Sequence, residues 1–314
     1  MKYSFSLGTT SCATNLALWY WNELCEMIGV CGYDGIEISF QAWSFNGGRG
    51  AAPVCAAAIK TKYGSVANYQ KFLKDCGIAE GLSGLHITAQ NILSTMLEDN
   101  CPRERIFERT LELAEETACV LSEAGSKDLI FSPSPMLGMF NGVFYGSEII
   151  ESYEEHIAET IAKMADMLSG SGIRLSLRNE FYGMFRGSRI NGLMEKLPAS
   201  VLYSPDPTQL HIAGCDPEEM IRKYTGRLAS VKMDDAGFVD TTGCFATAMP
   251  EAPQEGEKQR VYCTFGNGDV DMTGVYKALS EGGYNDWIVM ESKQAFNIEK
   301  TMMKMQAFRR KNFR

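Results

Sequence analysis

Between Ile173 and Glu291 the chain repeats one pattern, a short apolar run that ends in a polar or charged residue. The runs are IRLSLRNE ending at Glu180, VLYSPD ending at Asp206, LASVKMDD carrying Lys232 to Asp235, and WIVME ending at Glu291. A parallel strand covered on both faces reads as a near-continuous apolar run. When such strands close into a barrel, the residues at their C-terminal ends meet at one mouth. The pattern therefore predicts strand-end carboxylates gathered in one place, where they repel unless a cation organises them. Oxygen donors of this kind suit a hard divalent ion.

Similar runs occur earlier, with amphipathic stretches between them. Strands are expected at Ser4–Thr10, Gly35–Ser39, Leu82–Thr88, Asp128–Ser132, Arg174–Asn179, Val201–Ser204, Leu228–Met233 and Trp287–Glu291. Helices are expected at Leu18–Val30, Val66–Asp75, Arg103–Glu123, Ser152–Leu168, Ile190–Lys196, Pro217–Tyr224, Met272–Glu281 and Ile298–Arg310. Strand–helix alternation of this count fits a single-domain (β/α)8 TIM barrel over residues 1–314. A doubly wound fold would carry a Gly-rich phosphate fingerprint after the first strand. That place reads GTTSCATN.

Three connections are long for this architecture: Phe40 to Gly64 after strand two, Pro133 to Ile150 after strand four, and Ala236 to Gly268 after strand seven. Each follows a strand C-terminus, so each is expected at the mouth. Trp43 and Phe45 in the first suit an apolar sugar face, while packing of the loop is the plainer role for them. The third is expected to act as a lid or as a partner surface.

Composition excludes several classes. A net charge of -9 offers no electrostatic footprint for nucleic acid or an anionic membrane. The ten cysteines form no CxxC pair, which fits scattered thiols in the reducing cytoplasm. The N-terminal SFSLGTTSCATNLALWYW is too polar for a signal peptide, and no run reaches the ~18 apolar residues of a membrane helix. A cytoplasmic protein acting on a small molecule is expected, with a homo-oligomer or a second subunit possible at the open mouth.

GYDGIEIS at Gly32–Ser39, SPDPTQLHIAG at Ser204–Gly214, GNGDVDM at Gly266–Met272 and GGYNDWIVMES at Gly282–Ser292 occur in that order along the chain. Together they resemble the xylose isomerase-like superfamily of barrels, the sugar phosphate isomerase/epimerase group. The resemblance implies a metal site of Glu180, Asp206 and Glu291. In that group a His usually follows the strand-six Asp by three residues, where this chain has Gln209, and a strand-seven His is the fourth ligand, where it has Lys232. Two Glu, one Asp and the Gln209 amide oxygen favour Mn2+ or Mg2+.

The chemistry implied is proton abstraction beside a carbonyl to give an enediolate, with Glu180 and Glu291 each able to serve as ligand or base. The leading expectation is a metal-dependent isomerase or epimerase of a sugar or keto-sugar. The alternative is a lyase of the same superfamily, inosose dehydratase-like or the catalytic subunit of a C-glycoside deglycosidase acting on a 3-keto-glycoside. A non-catalytic sugar-binding relative is a further alternative, because Lys232 replaces a ligand. An apurinic endonuclease would need a His-rich zinc cluster, and the chain has three histidines.

Lys232 next to carboxylates would stay cationic and could stabilise an enediolate oxygen. His86, at the end of strand three, could contact substrate or transfer protons, or could be a satisfied core residue. Glu37 points inward from strand two, where it could meet a substrate hydroxyl. Arg186 could pair with a sugar phosphate or sit in solvent. A buried ion pair of Glu180 or Glu291 with Lys232 or Arg178 is the structural alternative to a metal.

Overall fold

A computed structural model of the chain describes residues 1–7, 18–40, 53–135, 144, 148–243, 261–293 and 297–313. Among them lie the parallel strands β1 (Lys2–Leu7), β2 (Gly35–Ser39), β3 (Gly81–Thr88), β4 (Asp128–Ser132), β5 (Arg174–Leu177), β6 (Leu202–Tyr203), β7 (Val231–Met233) and β8 (Trp287–Met290). They are hydrogen-bonded in the order β6-β5-β4-β3-β2-β1-β8-β7. The remaining seam closes through a Tyr203–Leu228 bridge and the Lys232 N–H donating to the Pro205 carbonyl at 2.9 Å. The result is the expected (β/α)8 barrel, with helices covering the outside.

Strand cores fall where the apolar runs predicted, but the ends differ. β1 is described from Lys2, β5 and β6 are shorter than expected, and β7 begins at Val231. Among the positions that fall outside the strands, Arg178 donates to the Ser204 hydroxyl in the barrel centre, while Asn179 bonds Asp206 and the Tyr203 hydroxyl. The connection after β2 holds an unforeseen helix, Ala56–Tyr63, and another, Ala89–Glu98, follows β3 directly. A third, Pro207–Ile212, follows β6. Its signal was legible, because Asp206 is an N-cap and Pro207 takes the first helical turn.

The outer strand faces and the helices form one apolar core that includes Phe5, Ile36, Ile38, Leu129, Leu175, Val231 and Ile288. The barrel interior is different. TIM barrels usually fill it with branched apolar layers, yet here Ser4, Ser6, Ser83, Ser176, Ser204 and Ser230 are all buried, with Arg178 and Glu37 among them. Small residues let the floor close tightly. A Cβ added at Gly35 would come within 2.9 Å of the Trp287 ring. Burying polar groups is costly unless they are paired. Glu37, Arg178, Ser204 and Ser230 pair with one another across the barrel centre, while Ser176 Oγ and Arg178 Nε are without a hydrogen-bond partner among the described residues.

Candidate active site at the barrel mouth

The network begins with Glu37 on β2. Its carboxylate takes Arg178 Nη1 at 2.7 Å and Nη2 at 2.9 Å, a bidentate pair in which both residues are fully buried. The second guanidinium nitrogen also donates to the hydroxyls of Ser204 and Ser230, each at 3.2 Å. Burial alone would raise the Glu37 carboxyl. The Arg178 guanidinium and the Lys232 ammonium override it and hold the group well below the usual carboxylate range.

Lys232, on β7, lies 3.2 Å from Glu37 Oε1 and 3.0 Å from Glu291 Oε2. It bridges two carboxylates at the position where the resemblance places a metal-binding imidazole. Beyond it, Lys293 stands 3.5 Å from Glu291 Oε2, 3.7 Å from Asp206 Oδ2 and 4.9 Å above the Tyr262 ring. Burial opposes the Lys293 charge, but Tyr262 and the Glu291, Asp206 and Glu180 carboxylates push its pKa well above the ordinary lysine value. Lys293 was missed in the sequence because it falls two residues beyond the end of its apolar run, in a turn.

His86 connects this charged centre to Glu180. Arg178 Nη1 faces His86 Nδ1 at 3.5 Å, and His86 Nε2 lies 2.8 Å from the Ser132 hydroxyl. A guanidinium has no acceptor, so Nδ1 must accept and the proton sits on Nε2, which donates to Ser132. Ser132 in turn bonds Glu180. Burial, then the Arg178 and Lys232 charges, drives the His86 pKa well below its ordinary value, so the ring is neutral. Burial raises the Glu180 pKa, and Lys293 and the Ser132 hydroxyl partly counter it. Relative to an ordinary carboxylate, Glu180 is a stronger base with one oriented donor.

Asp206 is held by its neighbours on both sides. Its Oδ1 caps the following helix by accepting the Gln209 N–H at 3.1 Å. The Asn179 carboxamide takes the Asp206 N–H at 2.9 Å and the Tyr203 hydroxyl at 2.8 Å. Asp234, which burial pushes well above the usual carboxylate range, accepts the N–H groups of Asp235 and Lys293. Asn179 and Asp234 carry no pattern in the sequence, because a lone polar residue at a strand end has no periodicity.

Gln209 and Arg186 have protein partners of their own. Gln209 accepts the Phe181 N–H on its amide oxygen at 2.9 Å and turns its nitrogen to the Tyr262 hydroxyl at 3.2 Å. Arg186 pairs with the buried Asp240 at 2.9 Å, which gives its guanidinium a protein partner. Trp43 and Phe45 lie outside the described residues, as does the middle of the connection after β7. Phe144, from the connection after β4, is helical and fully buried, so this ring packs inward.

A divalent ion needs its oxygen ligands at ~2.0–2.6 Å. Glu180, Asp206 and Glu291 do share the mouth, but the Lys293 ammonium stands between Asp206 and Glu291, and Lys232 holds Glu291. Among the described residues, no three His, Cys, Asp or Glu side chains are grouped to hold a metal ion. In this arrangement the residues do not fit a divalent cation. The cationic places are filled by lysine.

Comparison with known proteins agrees with the architecture. Over 194 residues the chain is 23% identical to an inosose dehydratase of Geobacillus thermodenitrificans, a match covering 60% of this chain and 64% of that relative, under two thirds of its length. A D-allulose 3-epimerase from Methylomonas sp., solved in complex with D-allulose, superposes with a TM-score of 0.66 at 15% identity, covering 99% of this chain and 97% of that one. The IOLI protein, solved with a binding zinc atom, superposes with a TM-score of 0.62 at 15% identity, covering 98% and 97%. At these identities the structures establish the fold. The family profile described as xylose isomerase-like TIM barrel matches residues 29–311, and the chain belongs to that family.

Proposed function

We propose that the protein is an isomerase or epimerase of a sugar or keto-sugar, acting by proton transfer beside a carbonyl. The observation that carries this reading is the placement of a buried, raised-pKa carboxylate with two ammonium groups in one mouth. Glu180 takes the C–H proton, and the Ser132 hydroxyl, fed by His86, keeps its carboxylate oriented. The electron pair moves onto the carbonyl oxygen. Lys293 places a positive charge where that oxygen develops its negative charge, and Lys232 holds Glu291 and Glu37 in register around it. Delivery of the proton to the former carbonyl carbon, with the adjacent hydroxyl proton passing to the former carbonyl oxygen, isomerises. Delivery to the original carbon on the opposite face epimerises, and each outcome conserves atoms.

A second reading is a lyase, in which the same carbanion expels a β-hydroxyl as water. The observation favouring it is that the curated relative matched above is a dehydratase. Solvent deuterium exchange separates the readings. Keto-sugars, inososes and 3-keto-glycosides would be incubated with the protein in D2O and followed by NMR. Incorporation of deuterium with an isomeric product is the expected result. Incorporation with an unsaturated, dehydrated product assigns the lyase. With no exchange across the panel, the non-catalytic sugar-binding alternative replaces both. Glu180→Gln should slow exchange by about 10²–10⁴-fold, the scale of losing a general base.

A further inference from the structure

The two lysines of the mouth are held differently. Lys232 is fully enclosed, with contacts of 3.0 and 3.2 Å. Lys293 keeps 17% of its side chain accessible, and its contacts to Glu291 and Asp206 are 3.5 and 3.7 Å, beyond the usual length of a charge-assisted hydrogen bond. Its backbone is nevertheless pinned, because its N–H donates to Asp234 Oδ2 at 3.0 Å. The Tyr262 ring lies under the ammonium at 4.9 Å. The main chain is thus fixed while the charged tip is held by the surrounding field, on a side chain of four flexible carbons. That tip stands between Asp206 and Glu291, two of the carboxylates expected to ligate a metal.

We propose that Lys293 is a tethered cation that takes the place of a divalent ion at this mouth, so that the ion and the ammonium compete for Asp206 and Glu291. The same oxygens cannot serve both. An ammonium accommodates carboxylates at the observed 3.5–3.7 Å, whereas an ion would draw them to ~2.0–2.6 Å around itself, into the volume the Nζ atom fills. Swinging Lys293 outward frees Asp206 Oδ2 and one side of Glu291, with Glu180 facing the same space. Lys232 has no such exit, so it stays in either state. The proposal concerns the mouth to which the proton-transfer reading is assigned, but its test needs no turnover, and the two can fail separately.

The experiment is Mn2+ binding to the full chain after stripping with a chelator, by equilibrium dialysis with metal quantification. Circular dichroism establishes that each variant is folded. Lys293→Met should bind Mn2+ at least about tenfold more tightly than the unaltered protein, the scale of removing a unit charge a few ångström from the ion. Lys293→Gln is a second neutral variant with the same expectation, which covers the case in which Met does not fold. Lys293→Arg keeps the charge and should remain a weak binder. Adding Glu291→Gln to Lys293→Met should abolish the gain. Equal affinity in the unaltered protein and both neutral variants overturns the proposal. So does weaker binding in the neutral variants, or no Mn2+ binding by any of them.

Discussion

Glu180 and Glu37 are both buried glutamates at one barrel mouth, yet their environments push them in opposite directions. Glu37 is met by a bidentate guanidinium and an ammonium, and its carboxyl is depressed. Glu180 receives one hydroxyl donor and more distant charge, so burial prevails and its carboxyl is raised. The base must be deprotonated to act, so exchange activity should rise with pH, with an acid limb above the ordinary carboxylate pKa of ~4.3. The Ser132 bond lowers the Glu180 pKa, so Ser132→Ala should shift that limb to still higher pH and reduce the plateau rate. A pH profile of deuterium exchange checks this, and an unmoved limb would separate Ser132 from the base.

For Glu37 the sign is the reverse. Its folded-state pKa lies below the unfolded value, so its contribution to stability is fully present above ~4.3 and is lost as pH falls toward the folded-state pKa. Glu37→Gln leaves Arg178 and Lys232 short of a buried counter-charge. It should cost about 3–5 kcal/mol at neutral pH, and the loss should shrink in acid, where the unaltered protein also weakens. Urea unfolding at pH 7 and pH 3.5 measures both effects. Glu37 was legible as an inward-facing residue, but the sequence suggested a substrate hydroxyl for it, and its partner Arg178 lies 141 positions along the chain.

At the scale of elements, the ends of the connection after β7 are tied together by one side chain. Asp235 Oδ2 accepts the N–H groups of Gly266 and Gly268 at 2.8 and 2.9 Å, while Oδ1 accepts that of Ala236 at 2.9 Å. Gly268 is required for this approach, because a Cβ there would lie 2.2 Å from Asp235 Oδ1. Gly268→Ala and Asp235→Asn should each lower the melting temperature, the latter with a loss of about 2 kcal/mol as charge-assisted bonds are weakened. Thermal melts check both. If Asp235→Asn leaves the melt unchanged, the carboxylate does not organise the connection. The Gly-x-Gly spacing was visible in GNGDVDM, but its anchor was not, since the aspartate belongs to a run 31 residues earlier.

On the scale of the whole molecule, the barrel floor is joined by Arg174. Its guanidinium takes both oxygens of the buried Asp128 at 2.7 Å and reaches Asp286 at 2.5 Å, tying β4 and β5 to the residue before β8. Burial raises the Asp128 pKa even with Arg174 beside it. Removing the guanidinium in Arg174→Met would raise it further, and a group whose folded-state pKa is raised favours the folded protein at lower pH. The variant should therefore melt below the unaltered protein at pH 7 and recover part of the difference at pH 5. A deficit that stays the same at both values would indicate lost packing alone.

The apolar runs and the helices between them determined the barrel by themselves, because burial of alternating strands and helices is a local property that periodicity records. They also led to the expectation that Glu180, Asp206, Lys232 and Glu291 meet at one mouth, since strand ends in a closed parallel barrel converge, and that Glu37 points inward from the second strand. Which of those groups pair was decided only by the tertiary structure. Lys293, Asn179, His86 and Ser132 acquire their roles from distances between residues well separated in sequence, and so does the bond of the Gln209 amide oxygen to the Phe181 N–H. Charge pairing depends on separations of a few ångström between side chains, and no periodicity along a chain encodes those.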